Sequence, residues 1–322
     1  MNLSVYRLRR AALALGLGAV ALLASCGGGE AVVPFEPTRV LAFGDENSVM
    51  TDEGRKYTVN ALKEVGGVKV LDCVLHPIWV QTLATSYGLV FSQCNPNAVS
   101  NPLSRIYAQP GATVADLAAQ VDLHLATDTF SSKDLVTLFA GQNDIFELYG
   151  QYNGSNSGAL KAELEQRGMN LAAQAGRIAA AGGKVLISTA LALEFTPFTL
   201  NEAVLHPGED RRNVIYELGQ EFNKGVRLGL QGQSGTNVAI MLTSELVENM
   251  VNFKEQYGNI VNVTEPVCDV ALAPSVELCT TDTLVTGGDV LTYLWADDKH
   301  LGPQGHAYIG SLAGSRTRTN PF

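Results

Sequence analysis

Three short stretches hold the side chains best suited to chemistry. "VLAFGDENSVM" (40–50) is an apolar run that ends in Gly44-Asp45 and meets Glu46, with Ser48 two residues on. "GQND" (141–144) closes the apolar run "LVTLFAG" and carries Asn143. "WADDKHLGPQGH" (295–306) sets Asp297 three residues before His300, with Asp298 as the adjacent alternative carboxylate. A carboxylate can activate water and an imidazole can exchange a proton near neutral pH, so these residue types suit proton-transfer chemistry if one fold gathers them. Generic catalytic motifs are absent: the sequence has no G-x-S-x-G elbow, no H-E-x-x-H and no phosphate loop.

The elements that must position these stretches are readable from periodicity. "RVLAF" (39–43), "LVTLFAG" (135–141), "KVLIST" (184–189) and "NVAIML" (237–242) are continuous apolar runs of a length that suits strands buried on both faces. Segments 113–126, 160–182 and 214–230 space their apolar residues by three and four, the pattern of helices, and Gly182-Gly183 stops the second. Strand–helix alternation predicts a parallel sheet covered on both faces, an α/β fold with the active centre at the carboxyl ends of the strands.

Taken in order, the stretches resemble those of the SGNH, or GDSL, hydrolase family. Gly44-Asp45 matches its first block turn, Gly111 in "YAQPGAT" the second, Gly141-Gln142-Asn143-Asp144 the third, and Asp297-Asp298-Lys299-His300 the D-x-x-H of the last. "GRKYTVN" (54–60), "HPIWVQTLATSYGL" (76–89) and "YGNIVNVTEPVC" (257–268) also look like intervening pieces of the family, while 61–75 looks like an insertion. The resemblance covers residues 37–322 and implies a three-layer α/β/α fold with a flavodoxin-like parallel sheet. It implies His300 as base, Asp297 as its orienter, and Gly111 N–H and the Asn143 amide as oxyanion donors. It calls for no cofactor and no metal. His306 reads as structural, and His76, His124 and His206 as surface residues or local hydrogen-bond partners.

The pattern breaks at position 46, where the family keeps its nucleophilic serine and this chain has glutamate. Ser48 is the alternative nucleophile, but it aligns with a second serine common in the family, and two residues of helix turn a side chain about 200° away. A carboxylate beside His300 would favour the imidazolium and could itself accept the oxyanion donors' hydrogen bonds. Aspartate nucleophiles occupy the analogous position in haloalkane dehalogenases, yet attack by Glu46 on an acyl ester would give a high-energy anhydride. Water activation is the better enzymatic version. Two readings follow: an ester hydrolase on acyl or acetyl esters of lipids or glycans with an atypical Glu46, or a catalytically silent protein that binds such a ligand. An envelope scaffold is a third.

The rest of the chain sets the compartment. Arg7, Arg9 and Arg10, an apolar run from Ala11 and "LASC" (23–26) read as an export signal over 1–25 with Cys26 as a lipidation site, followed by a tether over 26–36. Gly27, not Asp, after Cys26 points to the outer membrane by analogy with enterobacteria. The net charge of −10 becomes −13 when three arginines and no acids leave with the signal. Such a surface repels nucleic acid. Cys73, Cys94, Cys268 and Cys279 remain, an even number in an exported chain, and so read as disulfides. Three connectivities are open; sequence locality favours Cys73–Cys94 and Cys268–Cys279.

Overall fold

The long apolar runs become strands because most of their residues find cover on both faces, the run over 237–242 being the most exposed of them. β1 (Arg39–Gly44) and β5 (Asp134–Phe139) pair in parallel from Arg39↔Asp134 to Gly44↔Phe139, and Val40 to Phe43 are fully buried. β6 (Lys184–Ser188) and β7 (Val238–Met241) extend the sheet on one side, and the two-residue β4 (Arg105–Ile106) extends it on the other. All pairings are parallel, in the order β4-β1-β5-β6-β7. Numbered by first appearance, that is 2-1-3-4-5, the flavodoxin-like order. The computed structural model describes residues 34–233 and 237–319, so the export signal, Cys26 and most of the tether lie outside the described residues.

Right-handed crossovers then decide which face each helix covers. The chain moves from β1 outward to β4 through α1 (Trp79–Thr85), then reverses through α2 (Val114–Thr127) to β5, so α1 and α2 take opposite faces. After β5 come α3 (Gln142–Tyr149) and α4 (Ser157–Ala180); after β6 come α5 (Pro197–Leu205) and α6 (Arg211–Leu230). Helices α4 and α6 pack together, while α7 (Thr243–Asn252) leads toward α8 (Pro303–Arg318), which lies against α1. The result is three layers. The reversal between β1 and β5 creates the crevice where ligands of open parallel sheets bind.

Two additions flank this body. The segment read as an insertion is a β-hairpin, β2 (Ala61–Val65) against β3 (Val68–Asp72), and a Cys73–Cys94 disulfide follows it. β8 (Asn262–Pro266) pairs with β9 (Tyr293–Trp295), and a Cys268–Cys279 disulfide closes the loop between them over Val59, Val267, Val276 and Ala296. Among the described residues no helix is long and apolar enough to cross a membrane.

The differences from the periodicity reading are local. β5 stops at Phe139, two residues before the run's end, because the chain turns there to aim residues 142–144. Of the two roles open to His124, the structure gives the local hydrogen-bond partner and not the surface position: it is fully buried, with its Nδ1 2.8 Å from the Tyr107 hydroxyl. His306 is buried in α8.

Candidate active site

The turn after β1 is forced by Gly44. At its φ of +138°, a Cβ would lie 1.8 Å from the Phe139 carbonyl oxygen, so no other residue fits without moving β5. Gln120 on α2 holds this turn from the side, donating to the Gly44 carbonyl at 2.9 Å and accepting from the Gly44 N–H at 2.8 Å. Asp45 caps the short 3-10 turn of Glu46–Ser48, accepting from the Asn47 amide at 3.0 Å. This cap fixes the direction in which Glu46 leaves the backbone.

Glu46 is 5% exposed, and its carboxylate collects donors from three other loops. Oε2 accepts from the Gly111 N–H at 2.8 Å and from Asn143 Nδ2 at 2.9 Å. Oε1 accepts from Gln142 Nε2 at 3.2 Å and faces His300 Nε2 at 3.4 Å, long for a hydrogen bond and within ion-pair range. The other ring nitrogen of His300, Nδ1, lies 2.8 and 2.9 Å from the two Asp297 oxygens. Asp297 also accepts the Lys299 and His300 backbone N–H groups, at 2.9 and 2.7 Å. Thus the structure brings Glu46, Gly111, Asn143, Asp297 and His300 together.

Ser48 stands apart. It is fully buried, and its Oγ has no hydrogen-bond partner among the described residues. His300 is engaged on both sides by carboxylates and makes no hydrogen bond to Ser48. Asp298 is the less favourable orienter, since it is Asp297 that meets the ring.

The charges explain one another. Burial works against a charged His300, but hydrogen bonds and charges from Asp297 and Glu46 outweigh it and push the imidazole up to about 10. Burial likewise opposes Glu46 ionisation, while His300 and the Asn143 amide more than compensate and lower its pKa. Burial also opposes ionisation of Asp297, but His300 and the Lys299 and His300 backbone N–H groups outweigh it and lower its pKa. Asp45, fully buried, goes the other way because desolvation and the neighbouring Glu46 charge both disfavour its anion. At neutral pH the resting site is therefore an imidazolium between two carboxylates.

Several residues of the quoted stretches have positioning roles that the sequence does not assign. Asp144, on the same turn as Asn143, accepts the Val114 N–H at 3.0 Å and meets Arg167 at 3.2 Å, tying the Gly111 loop to α3 and α4. The Thr58 hydroxyl donates to the Leu301 carbonyl at 2.8 Å and so anchors the His300 loop. Tyr57 presents its ring to His300, with centroids 6.2 Å apart. Lys299 lies over the rings of Phe146 and Phe198, at 5.3 and 4.7 Å. A cavity of about 340 Å³ is lined by Asp297, Asp298 and the apolar Pro266, Val270, Ala273 and Val276. Gly111 is needed for a reason other than close approach. A Cβ there would meet nothing within 4 Å, and the requirement is its φ of +74°. Among the described residues no group of three or more His, Cys, Asp or Glu side chains is arranged to hold a metal ion.

No family model and no curated protein matches this sequence. Solved structures do align with it over most of its length. A member of the lipolytic protein G-D-S-L family from Veillonella parvula is 13% identical, with 85% of this chain and 95% of that chain covered and a TM-score of 0.41. An acetylxylan esterase from Geobacillus stearothermophilus is 14% identical over 89% of this chain and 97% of its own, with a TM-score of 0.45. An α/β hydrolase from the metagenome of Lake Arreo, Spain, is 15% identical over 87% and 94%, with a TM-score of 0.43. By its own sheet order, with the site loops at the carboxyl edge, the chain has a three-layer α/β/α architecture with a flavodoxin-like parallel sheet.

Proposed function

We propose that this chain is a hydrolase of ester bonds, acting on acyl or acetyl esters of lipid or glycan at the cell envelope. In this reading Glu46, His300 and Asp297 are its catalytic residues, and Gly111 and Asn143 its oxyanion donors. The observation that carries it is the convergence of an Asp297-oriented imidazole and two aimed N–H donors on one side chain, Glu46. Isolated capping or turn roles would not require four separate loops to meet.

The chemistry follows from the charges. The ester carbonyl replaces the Glu46 carboxylate on the Gly111 and Asn143 donors, which then stabilise the oxyanion as it forms. Glu46, displaced but still beside the carbonyl, takes a proton from the attacking water. His300 is protonated at neutral pH and gives its proton to the leaving alkoxide, while Asp297 keeps the ring in place. No anhydride forms. Export over 1–25 and lipid anchoring at Cys26, outer membrane rather than inner, would place the domain over 37–322 at the envelope surface.

A second reading, a silent binder of the same ligands, is favoured by one observation. Glu46 Oε2 sits on both oxyanion donors, which an ester must win from it. Turnover of p-nitrophenyl acetate and butyrate separates the two. Activity in the natural protein that Glu46→Gln abolishes supports the hydrolase. Activity confined to Glu46→Ser identifies the silent protein, and activity in neither removes the hydrolase reading.

A further inference from the structure

The two oxygens of Glu46 occupy different positions. Oε2 lies where a tetrahedral oxyanion would lie, 2.8 Å from the Gly111 nitrogen and 2.9 Å from Asn143 Nδ2. Oε1 faces His300, whose ring Asp297 holds from behind. If Oε1 were joined to carbon, the side chain would become an ester whose carbonyl oxygen is already in an oxyanion hole, with a base oriented beside it. The protein's own glutamate would then stand where an acyl enzyme stands in an ester hydrolase.

We propose that Glu46 is a covalent nucleophile toward primary alkyl halides, and that the chain hydrolyses the resulting alkyl ester with His300. The electrophile must be an sp3 carbon. Attack on an acyl carbon would give an anhydride, whereas attack on a primary alkyl carbon gives an ordinary ester. In the first step the Oε1–carbon bond forms and the carbon–halogen bond breaks, halide leaving with the electron pair. Alkylation removes one of the two carboxylate charges that raise the His300 pKa, Asp297 remaining, and the imidazole gives its proton to solvent before it serves as base. His300 then takes a proton from water, and the hydroxide adds to Glu46 Cδ. The negative charge on Oε2 is held by Gly111 and Asn143, and collapse expels the alkoxide, which recovers the proton from His300. Alkyl halide and water become alcohol and hydrogen halide, and Glu46 is regenerated. The reaction uses the resting position of Oε2, which acyl-ester hydrolysis must vacate.

The test uses the full mature domain with 1-bromobutane and 1-iodobutane. His300→Gln, which cannot activate water, is expected to accumulate one butyl group on Glu46, seen by intact mass and peptide mapping. Asp297→Asn, a milder change, is expected to accumulate the same adduct and guards against a folding failure of the first. Glu46→Gln should carry none at this position. In a single turnover of the natural protein in H2(18)O, the butanol should leave without label and the Glu46 carboxylate should gain one 18O. No adduct on Glu46 in either dyad variant, or label in the first-turnover butanol, overturns the proposal. p-Nitrophenyl ester turnover, run in parallel, keeps the two functional readings apart. An adduct without ester turnover upholds the covalent route and removes the acyl-ester reading, and ester turnover without an adduct does the reverse.

Discussion

Glu46 Oε2 and the Gly111 nitrogen are 2.8 Å apart, so the N–H that the proposed ester hydrolysis would aim at a developing oxyanion already faces a carboxylate. An ester substrate has to compete with this resident carboxylate, and ground-state occupation of the donors adds to the barrier. Replacing Glu46 with serine empties the hole and supplies a hydroxyl beside His300. Glu46→Ser is expected to raise kcat for p-nitrophenyl acetate by about tenfold or more over the natural protein, a modest share of what a single oxyanion donor typically contributes. A serine variant no faster than the natural protein would show that occupation of the hole does not limit the rate.

The same pairing should make stability depend on alkaline pH. His300 has its pKa raised from 6.5 to about 10 in the folded protein, with burial opposing and Asp297 and Glu46 prevailing. A raised folded-state pKa gives stability that is fully present below 6.5 and is lost as pH rises through about 10. Asp298, Lys299 and Tyr57 adjoin the ring and remain in the variant, so Glu46→Gln isolates one carboxylate's share. Urea midpoints between about pH 7 and about pH 10 should fall more steeply for the natural protein than for Glu46→Gln, each unit of lost shift being worth about 1.4 kcal/mol. Parallel midpoints would mean that Glu46 does not hold the proton.

The sheet was legible because strands buried on both faces leave continuous apolar runs, and Val40 to Phe43 or Val185 to Ile187 cannot hide in a sequence. β4 was not legible: an edge strand of two residues, Arg105 and Ile106, has no run to leave. The hairpin over 61–72 leaves a local signal, Gly66-Gly67 between two mixed apolar and charged stretches, finer than the family comparison, in which the segment is only an insertion. At the site, residues with motif spacing could be read directly. The roles of Gln142, Asp144 and Thr58, though these residues lie in the matched stretches, could not, because each acts by joining loops far apart in the chain. Thr58 and Leu301 are the extreme case.

Two glycines at the site should respond differently to alanine. At Gly44 the added Cβ would meet the Phe139 carbonyl oxygen at 1.8 Å, while at Gly111 it would meet nothing within 4 Å and only the φ of +74° is strained. Gly111→Ala is therefore expected to cost about 1–2 kcal/mol, the usual penalty for a side chain in the left-handed region. Gly44→Ala is expected to cost about 3 kcal/mol or more, because β1 and β5 must separate. Denaturant midpoints of the two variants should fall in that order, and equal losses would contradict the packing at the head of β1.

Asn143 tests what the oxyanion donors hold in each form of the protein. In the natural chain its Nδ2 binds Glu46 at 2.9 Å and the Ala112 carbonyl at 3.1 Å, so Asn143→Ala both frees the resident carboxylate and removes a donor from the transition state. These effects oppose each other. In the Glu46→Ser background the resident is gone and only the second effect remains, for which about a hundredfold loss in kcat is the usual size. The double-mutant cycle should therefore be strongly non-additive, with Asn143→Ala costing about tenfold or less in the natural chain and about a hundredfold with serine at position 46. Equal losses in both backgrounds would mean that substrate and Glu46 never compete for the same amide.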